Sequence, residues 1–221
     1  MMQIIGVAAA IVLSFVVTLL FGVPKQTAHR AESVTAGPDL EPEASIIETR
    51  EANTKVVPAN AIVTLPAEGS HTTDLVASAD GESIALADVD DPVFSSGAMG
   101  QGIGIKPTSG NVYAPISGKV LTALDSGHAY GIRSETGVEV LVHVGVNTVQ
   151  MKGEGFTMHV KKGDTVEAGQ PLVTFDRQAV AEAGYQDTVI TIITNSGNFS
   201  TIEPQVGKQL TAGELAVVVE R

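Results

Sequence analysis

The 221-residue chain carries 25 Asp and Glu against 13 Lys and Arg, and a net charge of −12 excludes it as an ordinary nucleic-acid binder, because phosphates need cationic partners. Cysteine is absent, so disulfides, a cysteine nucleophile and cysteine-based zinc sites are excluded as well.

Residues 3–23, QIIGVAAAIVLSFVVTLLFGV, hold no charge, and at 1.5 Å per residue they are long enough to cross a hydrocarbon core of about 30 Å. Residues 1–24 are therefore read as one transmembrane helix. A signal peptide would need a positive leading region that Met1 and Met2 do not supply. Lys25 and Arg30 follow the span and nothing charged precedes it, so the remainder is expected on the cytoplasmic side of the cell membrane. Residues 25–80 are rich in Ala, Glu, Thr, Ser and Pro and read as a flexible linker.

From residue 81 onward, β-branched runs broken by Gly, Pro, Asn and Asp predict one all-β domain, an antiparallel sandwich of the barrel-sandwich hybrid type, over 81–221. Strands are expected at 102–106, 110–113, 118–123, 128–133, 138–144, 156–160, 171–176, 187–194 and 215–219, with a helical turn or two at 177–184. GAMGQGIGI (97–105) mimics a phosphate loop but runs into Lys106-Pro107-Thr108 where a helix should begin, and is read as a loop and bulge. KGDTVEAGQPLVTF (162–175) and VGKQLTAGELAVVV (206–219) echo one another, which predicts two similar corners of one sandwich.

In VEVLVHVGV, Val138, Val140, Val142, Val144 and Val146 alternate, so a strand places all five on one face and His143 on the other. Gly145 follows, and is read as leaving room for a partner. The runs HAYGIR and VEVLVH flank the turn residues SETG. A hairpin centred between Glu135 and Thr136 sets His128 directly opposite His143, within about 5 Å at Cβ. Two adjacent imidazoles suit zinc, which lacks a third ligand at any clear spacing here, or phosphoryl transfer, with one ring attacking phosphorus and the other donating to the developing negative charge. His29, His71 and His159 lie in polar surroundings and are read as solvent-facing.

The motifs APISGKV, SGHAYGIRSETGVEVLVHVGVNTVQMKGEGF and KKGDTVEAGQPLVTFD resemble, in order and spacing, the glucose-type IIA domain of the bacterial phosphoenolpyruvate-dependent sugar phosphotransferase system, from about residue 88 to 221. The resemblance implies that His143, in VHxGxxTV, carries the phosphoryl group, that His128 stabilises its transfer, and that Ser126 orients His128. A backbone carbonyl near Gly145 is expected to fix the tautomer of His143. The partners implied are the phosphocarrier HPr, a sugar-specific IIB domain and a IIC permease, with docking through an apolar ring matched here by Phe94, Met99, Leu124, Leu141 and Val149. Asn147 departs from the family's frequent Asp. No cofactor is required by this reading; zinc on His128 and His143 would be completed by a carboxylate from a partner. The N-terminal stretch resembles the last membrane helix of a IIC domain.

Three alternatives use similar β architecture. A IIA-like domain that regulates transporters by binding would use the same surface. A lysostaphin-like zinc peptidase would show H-x-H and a His followed four residues on by Asp, neither of which is present. A biotinyl or lipoyl carrier would present a Lys on a hairpin tip, and none stands out.

Overall fold

Short β-branched runs punctuated by turn residues become antiparallel strands throughout the computed structural model, which describes residues 72–221. In chain order these are β1 (Thr72–Val76), β2 (Gly81–Ala85), β3 (Gln101–Pro107), β4 (Asn111–Tyr113), β5 (Gly118–Ala123), β6 (Ala129–Arg133), β7 (Glu139–Val146), β8 (Phe156–Met158), β9 (Thr165–Val166), β10 (Pro171–Phe175), β11 (Gln186–Ile193), β12 (Thr201–Pro204), β13 (Gln209–Leu210) and β14 (Leu215–Glu220). Two short helices, α1 (Pro92–Ser95) and α2 (Arg177–Glu182), interrupt them. Each begins on an aspartate, Asp91 or Asp176, whose side chain accepts hydrogen bonds from the first free backbone N–H groups.

Every strand expected from the sequence is present, the one expected at 102–106 as β3, so that of the stretch 97–105 read as loop and bulge, residues 101–105 are strand. Gly102 and Gly104 are there for close packing: a Cβ on Gly102 would lie 2.0 Å from the Thr191 carbonyl oxygen. The predicted membrane helix and most of the predicted linker lie outside the described residues, and among the described residues no helix is long and apolar enough to cross a membrane.

The domain boundary expected at residue 81 is corrected. β1 pairs with β14 along its length, Leu75, Ala77 and Ala79 are fully buried, and the Ala77 N–H donates to the Glu214 carbonyl. A largely polar stretch belongs to the sheet because three small or apolar side chains fill its inner face.

The largest sheet has the order β13-β2-β3-β11-β7-β6-β5-β9, and the two halves on either side of β11 and β7 mirror one another. β9 and β10 match β13 and β14 element for element, which bears out the two echoed corners. The hydrogen bonds repeat too. The Ala168 N–H donates to Ser117 Oγ and the Ala212 N–H to Asp80 Oδ1; the Val120 N–H donates to the Asp164 carbonyl and the Ser83 N–H to the Lys208 carbonyl. The halves meet where the Val76 N–H donates to the Pro115 carbonyl and the Tyr113 N–H to that of Ser78. Most buried apolar side chains form one core that includes Val138, just before β7, and Val140, Val142 and Val144 from one face of β7. The other face of β7 builds the site.

Candidate active site

A second, smaller apolar cluster of Leu86, Val89, Phe94, Ala129, Leu141, Val146, Ile190 and Ile192 lies on that other face. His143 lies between Ala129 of β6 and Ile190 of β11 in the ladder, so its imidazole stands on a floor of aliphatic side chains. It is 6 % exposed, and His128 is 2 % exposed.

The two rings meet edge to face, with centroids 5.0 Å apart and planes at 76°. They do so by a different route from the expected hairpin. The β6–β7 turn holds three residues, with Gly137 at φ 84 and the Ser134 N–H donating to the Val138 carbonyl, so Ala129 and not His128 faces His143. His128 lies just before the first bridged residue of β6, at the end of the turn from Leu124, whose N–H donates to the Ala129 carbonyl. Outside the ladder, its side chain is released from the alternation of the strand and its ring reaches the one it would otherwise turn away from. Its backbone carbonyl accepts from the Val144 N–H at 2.8 Å.

The strand breaks its alternation at Gly145, which has φ 76, so Val146 leaves the valine stripe for the second cluster and only four of the five valines share a face. The space expected beside Gly145 for a partner is already filled. A Cβ there would lie 2.3 Å from the Thr148 methyl and 2.8 Å from the Gln186 carbonyl oxygen. Glycine is needed at this point for both the left-handed backbone and the close approach. The turn aims the Gly145 carbonyl at Nδ1 of His143, 2.8 Å away. A carbonyl only accepts, so Nδ1 carries the proton and Nε2 keeps a free lone pair.

Ser126 Oγ lies 2.7 Å from Nδ1 of His128, as the sequence led us to expect. Burial pushes the His128 imidazole down to about 3, helped by the neighbouring His143. Burial likewise takes His143 down to about 4, against an opposing contribution from the bond to Gly145. Both rings are neutral at physiological pH.

The residues expected to form an apolar docking ring divide. Phe94, held on α1 by the Asp91 cap, packs its ring against His143 with centroids 5.0 Å apart, and is buried. Leu141 is wholly buried in the cluster below and cannot offer surface to a partner, which corrects its assignment. Met99 and Leu124 are half-buried at the margin of the cluster. Val149 is half-buried in the 3-10 turn Thr148–Met151 that follows the site loop, outside that cluster. His159 is exposed. Among the described residues no group of three or more His, Cys, Asp or Glu gathers to hold a metal, so zinc on the two histidines would need a ligand from elsewhere. Sequence reasoning passed over Asp91, whose signal was the pair Asp-Pro before an apolar residue, and Thr148, buried beside Gly145.

Comparison with known proteins supplies the chemical context. The family model described as phosphoenolpyruvate-dependent sugar phosphotransferase system, EIIA 1, matches residues 73–199. A glucose-specific EIIA component of Halalkalibacterium halodurans is 40 % identical over 138 residues, covering 62 % of this chain and 80 % of that protein. A β-glucoside-specific EIIBCA component of Bacillus subtilis is 45 % identical over 120 residues, or 54 % of this chain. The chain spans about a fifth of the length of such fused relatives, 20 % in that case. Among solved structures, glucose permease IIA from Mycoplasma capricolum is 35 % identical with a TM-score of 0.62, covering 66 % of this chain and 95 % of that one.

Proposed function

Because the chain belongs to the EIIA 1 family of the phosphoenolpyruvate-dependent sugar phosphotransferase system, and is thus a phosphotransferase component, we propose that His143 accepts a phosphoryl group from the phosphohistidine of HPr and passes it to the cysteine of a IIB domain. The observation that carries this reading is the pair of buried, neutral imidazoles, with Nδ1 of His143 tied to the Gly145 carbonyl.

In the forward step Nε2 of His143 attacks phosphorus, the new N–P bond forms as the N–P bond to the donor imidazole breaks, and the donor leaves with the electron pair. Nδ1 keeps its proton throughout, hydrogen-bonded to the Gly145 carbonyl, so no base is required. Ser126 donates its hydroxyl proton to Nδ1 of His128, which leaves Nε2–H of His128 to donate to an equatorial phosphoryl oxygen as negative charge builds there. The Phe94 ring and the aliphatic floor exclude water and protect the phosphohistidine from hydrolysis. Transfer onward reverses the geometry, with the cysteine thiolate as the attacking group. Met99 and Leu124 give the rim an apolar contact surface for both partners, and residues 3–23 would anchor the domain to the membrane on its cytoplasmic side.

The test is incubation with labelled phosphoenolpyruvate and the general phosphotransferase components. The chain should acquire acid-labile label, and His143→Ala should abolish it. Undiminished labelling of that variant would overturn the assignment.

A further inference from the structure

The geometry points to Thr148 as the positioning residue that holds His143 in its nucleophilic tautomer. This rests on the reading of His143 as the phosphoryl acceptor. Thr148 is 1 % exposed and opens a 3-10 turn directly after Asn147, a non-glycine residue at φ 63. Two left-handed residues, Gly145 and Asn147, fold the chain back on itself within four positions. The Thr148 hydroxyl donates to the carbonyl of Val144. Its methyl lies where a Cβ on Gly145 would stand, and the Gln186 carbonyl flanks that position too.

Val144 is the backbone hub between the histidines. Its N–H, in the peptide from His143, donates to the His128 carbonyl, and its carbonyl, in the peptide to Gly145, accepts from Thr148, so the hydroxyl secures the peptide that leads into Gly145. The peptide that follows carries the Gly145 carbonyl to Nδ1 of His143. Without the hydroxyl, the Val144 carbonyl loses this tie, and the loop is left to the pairing of Val146 with Gln186 and the bond from the Gln150 N–H to the Asn147 carbonyl. The Gly145 carbonyl can then turn from Nδ1, and the ring is free to place its proton on Nε2, the atom that has to attack. Thr148 touches no reacting atom; it acts through the orientation of Gly145.

The decisive readout is the tautomer of His143, observed by long-range nitrogen–proton NMR of the full-length chain labelled in histidine with nitrogen-15. The wild type should show one form, with protonated Nδ1 and bare Nε2. Thr148→Val keeps the branched shape and removes only the hydroxyl. It should mix the two tautomers and slow phosphoryl acceptance about 10- to 100-fold, a range typical of partners that orient a histidine ligand. Thr148→Ser restores the hydroxyl and should recover both the single tautomer and most of the rate. A folded Thr148→Val protein with an unmixed Nδ1–H tautomer, or a folded Thr148→Ser protein as mixed as Thr148→Val, would overturn the proposal. If Thr148→Val does not fold, Thr148→Ser against Thr148→Ala carries the same comparison. A wild-type chain that takes no phosphate would overturn the acceptor role of His143, while the tautomer still decides the role of Thr148.

Discussion

The ring of His128 stands edge-on to that of His143, at 5.0 Å between centroids and 76° between planes. The pair is unequal. His143 has a backbone carbonyl on its inner nitrogen and His128 has the hydroxyl of Ser126, so one ring is fixed as a proton-bearing donor inward and the other can turn its N–H outward.

That inequality separates their variants. His128→Gln should leave His143 able to take phosphate yet slow transfer to IIB by a factor on the order of 10² to 10³, the usual cost of one donor to transition-state charge. Single-turnover transfer from the phosphorylated variant to IIB measures it. A wild-type rate would remove His128 from the mechanism.

Burial of both rings makes stability depend on pH in a defined direction. Their folded values of about 3 and about 4 lie below the unfolded value of 6.5, so between these limits the unfolded chain binds more protons. Stability is therefore fully present above pH 6.5 and is lost as pH falls toward 4, on the order of a few kcal/mol from the two groups together. Denaturant midpoints from pH 7 to pH 4 should fall less steeply in the His128→Gln, His143→Gln double variant. Parallel curves for the two proteins would show that neither imidazole is depressed.

Gly145→Ala combines a left-handed backbone with contacts at 2.3 Å and 2.8 Å. It should cost about 1–3 kcal/mol from the conformation, with the overlap added, and should also displace the carbonyl that holds His143. Thermal unfolding and phosphate labelling read the two effects separately. A variant as stable and as active as the wild type would show that this loop tolerates a side chain.

A fragment that begins at Gly81 lacks β1 and three fully buried side chains, Leu75, Ala77 and Ala79. Loss of a buried leucine side chain alone costs about 2–5 kcal/mol. The fragment should unfold at distinctly lower denaturant than one starting at Ser70, or fail to fold, and equal midpoints would mark β1 as dispensable.

Why the sequence reveals some of this and hides the rest follows from particular residues. β7 is legible because Val140, Val142 and Val144 alternate without interruption, and β11 because a run buried on both faces reads as a core strand. β1 is hidden, since Thr72, Thr73 and Asp74 resemble linker and the burial rests on Leu75 and two alanines. The meeting of the two histidines can be anticipated from HAYGIR and VEVLVH, but the register cannot, because a three-residue turn and a two-residue turn fit SETG equally well until Gly137 adopts its left-handed conformation. The tie between Thr148 and Gly145 depends on two left-handed residues two positions apart, one of them an asparagine, which no periodicity signals.

The eight-stranded sheet ends on both sides in strands of two residues, β9 and β13. A long free margin exposes unpaired N–H and C=O groups and recruits further strands from other chains. Here each margin offers so little ladder that another chain gains almost nothing by adding to it. The consequence is colloidal: crowded copies of the domain have little adhesive seam along this sheet.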